Sequence, residues 1–415
     1  MDGSLKKFKE NTLLNQFIKI RKKTNHLISN LHPEDVVIQT KDFVSPIKWH
    51  LGHTTWFFEN FLLVPYLKGY KIFDNEFNFI FNSYYNSVGP FNSREKRGYL
   101  NRPLLEEVLK YREYIDEKIS KLLTSNNSLN FLIEIGINHE EQHQELILMD
   151  IKNIFYSNPL KPSYSEVNSV NEFSENHNNE FVLEKIKVFE YGCSAETFCY
   201  DNEMPKGTSS IDPLKLTNYV SNDEWRNFID DGGYDSHEYW LSDGWDYIKK
   251  NNITRPLYWL DNNHHFTLNG VKKIESALPV SHISFYEACA YAKYKKLRLP
   301  SELEIEYLLK LQSKKGNLLE KNNFMEVSYK NSAYFNALYG NLWLWTSSNY
   351  APYKNYKPYK KELMEYNSKF MCNQFVLKGG SFATPKNHIR SSYRNFYYPH
   401  NRWQFSGLRL VEDLL

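Results

Sequence analysis

Residues 131–156 read FLIEIGINHEEQHQELILMDIKNIFY, and the helix they predict decides how the first part of the chain must fold. Apolar side chains recur at intervals of three and four, and no proline interrupts them. His139 and His143 are four residues apart, just over one turn, so both imidazoles lie on one face about a side chain apart. Such a pair can chelate one metal ion. Gln142, three residues after His139, shares that face. Glu145, two residues after His143, points roughly 200° away from it and is a poor candidate for the same ion.

A third ligand has to come from another helix. Residues 49–63, WHLGHTTWFFENFLL, offer His50 and His53. Gly52 permits close backbone approach, and the apolar run that follows anchors the segment. Spacing does not choose between the two histidines. Nor does it name the metal, since three-imidazole sites hold zinc, copper or iron.

The neighbouring segments supply the rest of an all-α architecture. LLNQFIKIRKKTNHLISNL (13–31) and PLLEEVLKYREYIDEKISKLL (103–123) repeat apolar positions at helical spacing, and Ser45-Pro46 can open a helix with proline in its first turn. Residues 1–156 therefore predict a four-helix bundle, a natural place for a metal site. Residues 157–180, rich in Ser, Asn, Glu and Pro, read as a linker or long loop.

From 181 to 415 the texture changes. Short β-like pieces (FVLEKIKVFEYG, GGYDSHEYW, LSDGW, FVLKGGSF, GLRLVED) alternate with Gly, Asn, Asp and Pro turns. NDEWRNFIDDGG and ISFYEACAYAKYKK are the clearest helices. This predicts an α+β domain rich in irregular loops. A chain of 415 residues is long enough for two or three such domains.

A net charge of +2 gives no nucleic-acid footprint, and no apolar run approaches the length of a membrane span. The opening MDGSLKKFKE is charged and does not read as a signal peptide. The four cysteines form no CxxC pair. Together these predict a reducing, cytoplasmic compartment. Aromatic residues make up 16% of the chain, which reads first as aromatic-rich cores. The sequence leaves the oligomeric state open.

WHLGHTTWFFEN with NHEEQHQEL resembles the DinB-like helical domain of the ergothioneine-biosynthesis sulfoxide synthases. The second half resembles their formylglycine-generating-enzyme-like domain (sulfatase-modifying-factor, C-type-lectin-like). The matching stretches are FCYDNEMP (198–205), LTNYVSNDEWRNFIDDGGY (216–234), LSDGW (241–245), PVSHISFYEACAYAKYKKLRLPSELEIE (279–306), LWLWTSS (342–348) and 377–410. The two domains in this order are far more specific than either motif alone.

The resemblance implies an Fe(II) ion held by His53, His139 and His143. It implies small-molecule substrates: hercynine, O2, and cysteine or γ-glutamylcysteine as thiol donor. The product would carry a C–S bond at the imidazole ring and a sulfoxide. Gln142 matches a position near the hercynine imidazole, and Asn395 one near its carboxylate or ammonium end. Phe396 and Tyr397 could add cation–π attraction to the trimethylammonium group. One branch of the family has Asn-Trp-Asp where this chain has Asn395-Phe396-Tyr397. This chain instead has Tyr84-Tyr85, resembling a second branch with catalytic tyrosines there. Arg94 and Arg97 suit the carboxylates of the thiol donor. Arg390 and Arg394 read as internal ion-pair partners. Ser391 and Ser392 stand where formylglycine-generating enzymes hold copper through a cysteine pair, which argues against protein-cysteine oxidation. A selenosugar-using selenoneine-type synthase, an ovothiol-type histidine sulfoxide synthase and an O2-independent metal-dependent thiol S-transferase are the alternatives.

Overall fold

The computed structural model describes residues 2–125, 129–165, 180–321, 324 and 338–414. Most of the expected linker, residues 166–179, lies outside the described residues. The chain forms two compact units, one of Met1–Leu160 with Lys360–Tyr366, the other of Lys161–Tyr359 with Asn367–Leu415. Among the described residues no helix is long and apolar enough to cross a membrane.

The first unit is helical: α1 (Asp2–Ile28), α2 (Ile47–Phe58), α3 (Val64–Tyr66), α4 (Glu76–Phe81), α5 (Leu105–Ser125) and α6 (Asn130–Ser157). Pro46 stands at the N-cap of α2, and a π-turn at Glu59–Leu63 carries α2 into α3. Every residue of α2 is buried, so this helix is packed on all sides. Two glycines make that packing possible. A Cβ on Gly52 would meet the Phe81 ring at 2.1 Å, and one on Gly136 the Phe58 ring at 2.5 Å.

The polar centre of the bundle is Glu140 of α6. It accepts from Arg21 Nη1 (2.6 Å) and Thr24 Oγ1 (2.7 Å) of α1 and from Arg112 Nη2 (2.8 Å) of α5. Arg21 and Arg112 also donate to Thr55 Oγ1 of α2 at 2.9 and 3.2 Å. One residue thus links the long helices that the sequence pattern predicts.

The second unit holds strands β1 (Phe181–Leu183), β2 (Ile186–Tyr191), β3 (Gly207–Ile211), β4 (Leu214–Tyr219), β5 (His264–Thr267), β6 (Gly270–Lys273), β7 (Trp343–Asn349), β8 (Phe375–Lys378), β9 (Asn395–Tyr397), β10 (Ser406–Gly407) and β11 (Arg409–Asp413). They form sheets ordered β1-β4-β11 and β10-β7-β8-β9, with hairpins β2-β3 and β5-β6. All pairings are antiparallel except β10 with β7.

Helices α7 (Asn222–Asp230), α8 (Ser242–Lys250), α9 (Phe285–Tyr294) and α10 (Glu302–Lys310) belong to the same unit. Two β-like readings are corrected here. LSDGW opens α8, which buries Gly244 and Ile248, and GGYDSHEYW folds into turns with a short 3-10 segment at His237–Tyr239. Aromatic content misled in that stretch: Trp240 is buried, but its Nε1 is spent on Gly233 O within the turn (2.8 Å). Helix α10 was not expected, although Ser301 and Glu304 form a capping box that marks its start.

Candidate metal centre

His53 on α2 and His139 and His143 on α6 offer ligand nitrogens that all lie within 4.8 Å of one another, the one such cluster of potential metal ligands among the described residues. All three side chains are buried. Each ring is steered by its surroundings. His53 Nδ1 lies 2.7 Å from Phe81 O. A carbonyl can only accept, so Nδ1 carries the hydrogen and Nε2 keeps its lone pair. The glycine at 52 is what lets Phe81 approach closely enough to do this.

His50, the other candidate, lies outside this cluster. Its Nδ1 lies 2.8 Å from His143 Nδ1 and its Nε2 lies 2.9 Å from Asp150 Oδ2. Both nitrogens are therefore committed. His139 Nδ1 is buried and has no hydrogen-bond partner among the described residues, a state that is costly for a polar atom unless something else satisfies it.

Burial pushes the His139 imidazole down to about 3, and burial with the neighbouring imidazoles pushes His53 and His143 well below the ordinary histidine value. Burial likewise lowers His50. The rings are neutral at pH 7, as metal ligation requires. A neutral three-imidazole set with one orphaned buried nitrogen fits a borderline divalent cation such as Fe(II).

These shifts predict acid sensitivity of the metal-free protein. Between pH 6.5 and the folded-state value, an unfolded histidine binds a proton that the folded one refuses. Stability is therefore full above pH 6.5 and falls as pH drops below it. For His139, going from pH 6.5 to 5 removes about 2 kcal/mol. The urea midpoint of metal-free protein should drop clearly between pH 7 and 5. An unchanged midpoint would contradict the burial of these rings.

Around the cluster lie aromatic walls. Trp49 stacks on His53 (centroids 4.6 Å apart, 10° between planes), and the Arg97 guanidinium carbon sits 3.3 Å from the Trp49 centroid. Arg97 is buried and donates to Ser45 Oγ (2.9 Å) and Ser83 Oγ (3.1 Å). Burial, with Arg94 adding repulsion, pushes this guanidinium well below its ordinary value. Arg94 itself is exposed.

Tyr85 is fully buried and stacked on Tyr84 (4.6 Å), with the two hydroxyls 3.5 Å apart. Its ring lies 5.6 Å from that of Trp56, which in turn lies 5.6 Å from that of His53. Burial raises the Tyr85 phenol well above its ordinary value, so it holds its proton.

One neighbour was missed by sequence reasoning. Tyr366, far along the chain, belongs to the helical unit. Its hydroxyl donates to Gln142 Oε1 (2.6 Å), its ring is 5.9 Å from that of His139, and its carbonyl accepts from the Tyr84 hydroxyl (3.4 Å). Nothing marks it in the sequence: it is one tyrosine among 31, in an irregular stretch without a motif.

Asn395, Phe396 and Tyr397 form β9 in the second unit. Asn395 Oδ1 accepts from the Phe396 amide (3.0 Å), Phe396 stacks on Tyr350 (4.0 Å), and Tyr397 meets Trp403 edge-on (5.2 Å). Arg390 and Arg394 are committed to internal pairs with Glu203 (2.7 Å) and Glu302 (2.8 Å).

Comparison with known proteins agrees with this architecture. A model of the DinB superfamily matches residues 16–147, and one of the sulfatase-modifying factor enzyme 1-like domain matches 167–327 and 313–414. Three curated relatives are each named hercynine oxygenase. The one from Mycobacterium tuberculosis is 29% identical, over 69% of this chain and 72% of its own. The one from Mycolicibacterium smegmatis is 28% identical, over 68% and 72%. The one from Mycolicibacterium thermoresistibile is 28% identical, over 68% and 69%.

Proposed function

Because the chain belongs to the sulfatase-modifying factor enzyme 1-like family, and joins that domain to a DinB-like helical unit with three buried histidines, we propose that it is a sulfoxide synthase of ergothioneine biosynthesis. In this reading it is a cytoplasmic non-haem Fe(II) enzyme that uses O2 to join hercynine to cysteine or γ-glutamylcysteine through a C–S bond. The observation that carries the proposal is the convergence of His53, His139 and His143. The names of the three relatives support the choice of hercynine as acceptor.

His53, His139 and His143 would hold the ferrous ion, which would supply the redox chemistry with O2. The protein residues bind and orient. Gln142, on the same face of α6 as the ligands, holds the acceptor imidazole, its carboxamide aimed by the Tyr366 hydroxyl. Asn395, Phe396 and Tyr397 serve the betaine end. Arg97 and Arg94 serve the carboxylates of the thiol donor. Tyr85, whose phenol burial keeps protonated, and Tyr84, stacked on it, deliver a proton at the reacting centre.

The test is anaerobic loading with Fe(II), then aerobic reaction of hercynine with each thiol, followed by mass spectrometry and an oxygen electrode. A sulfoxide adduct formed with O2 uptake is expected. No adduct, or sulfur transfer without O2 uptake, would sink the proposal, the latter in favour of an S-transferase. The Tyr84→Phe/Tyr85→Phe double variant is expected to lose on the order of 100-fold in kcat at unchanged iron content. Parent-like turnover would remove both tyrosines from the mechanism.

A further inference from the structure

Helices α2 and α6 carry a run of contacts behind the metal ligands in which every hydrogen can be placed. The Ser45 amide donates to Asp150 Oδ2 (2.9 Å). The same oxygen lies 2.9 Å from His50 Nε2, and His50 Nδ1 lies 2.8 Å from His143 Nδ1. Asp150 Oδ2 accepts the amide hydrogen, so His50 Nε2 is the donor in the second contact. A neutral His50 ring then has a bare Nδ1, which can only accept. His143 Nδ1 must carry a hydrogen and donate it. That leaves the lone pair of His143 on Nε2.

We propose that Asp150 and His50 are a positioning pair that fixes the tautomer and ring orientation of His143, so that its Nε2 is the atom offered to the metal. The three residues are buried, at 2% (Asp150), 2% (His50) and 7% (His143) exposure, so water does not compete for these contacts. The pair does for His143 what the Phe81 carbonyl does for His53. The difference is that a side-chain device can be removed by substitution and a backbone carbonyl cannot. Outer partners of this kind typically account for 10–100-fold in metal affinity.

The inference rests on the three-histidine reading of the centre, and the experiment separates the two. Metal-free parent protein and the variants His50→Phe, His50→Gln and H50F/D150L are titrated with Co(II) without O2. Affinity and the visible ligand-field bands are both read, with a thermal melt of each metal-free form as the control for folding. Glutamine keeps a donor and an acceptor on atoms flanking one carbon, as the imidazole does, and phenylalanine keeps only the ring.

The parent is expected to bind one equivalent. His50→Phe should bind about 10–100-fold more weakly with altered bands, and His50→Gln should stay within a few-fold of the parent. The double variant should lose no more than His50→Phe alone, because two parts of one device do not add. Parent-like affinity and bands in His50→Phe would overturn the positioning role, as would equal losses in the Gln and Phe variants. Failure of the parent to bind Co(II) would instead overturn the metal centre.

Discussion

Replacing His143 with alanine is expected, under the proposed Fe(II) reading, to abolish iron binding and to lower C–S bond formation by roughly a thousandfold or more. The same holds for His53→Ala. Each change removes one of the three proposed ligands, and the described residues hold no other such cluster. His50 is near His143, but its two nitrogens are held by Asp150 and by the His143 ring that the substitution removes. Ligation by the freed Nδ1 would require the ring to shift while its Nε2 is still held by Asp150 (2.9 Å). Iron content after anaerobic reconstitution, beside product yield by mass spectrometry, checks the expectation. Stoichiometric iron in both variants would mean that the histidines are core residues and not ligands.

Much of this centre is legible in the sequence because helical periodicity is a strong constraint. The four-residue step from His139 to His143 places both on one face whatever the tertiary structure. The choice of His53 over His50 is different. Both sit on α2, three residues apart, and both end up buried beside α6. What separates them is a carbonyl at residue 81 and a carboxylate at residue 150, contacts that no local pattern encodes. The resemblance to a family supplied that choice.

Tyr366 marks the limit of such reading. It enters the helical unit from a segment that local sequence assigns to the other domain. Its contact with Gln142 spans 224 residues. Arg97 shows a related limit. A cluster of basic residues in a loop suggests solvent exposure, yet its guanidinium is buried on the Trp49 face, where cation–π attraction and two serine hydroxyls offset lost hydration. In the second domain, capping boxes at Ser221, Ser284 and Ser301 mark three helix starts, while α8 has no side-chain cap, so its opening LSDGW carries no such signal.

Glu140→Ala is expected to destabilise the helical unit by about 3–5 kcal/mol, the usual cost of breaking a buried ion pair from one side. The residue lies inside the His139–His143 motif, where an acidic side chain invites a catalytic assignment. Its surroundings argue for a structural one. Burial alone would raise the Glu140 carboxyl, but the Arg21 and Arg112 guanidiniums overturn that and hold it at about 2. Adjacent helical residues point about 100° apart, so Glu140 faces α1 and α5 while His139 faces His53. Alanine would leave Arg112 with only neutral acceptors, at Asn25, Leu51, Thr54 and Thr55. Arg21 would keep Asp116 (2.7 Å), so the loss should fall more heavily on the Arg112 side. Glu140→Gln should cost less, since the amide oxygen can still accept from one guanidinium. Urea unfolding followed by helical circular dichroism measures both, and a parent-like midpoint in Glu140→Ala would refute the structural role. The consequence for the metal is indirect but testable in the same samples. The network that Glu140 anchors fixes the rotation of α6 about its axis, and that rotation sets where His139 and His143 point. Glu140→Ala should therefore weaken metal binding in proportion to the loss of fold, and added metal should raise its urea midpoint.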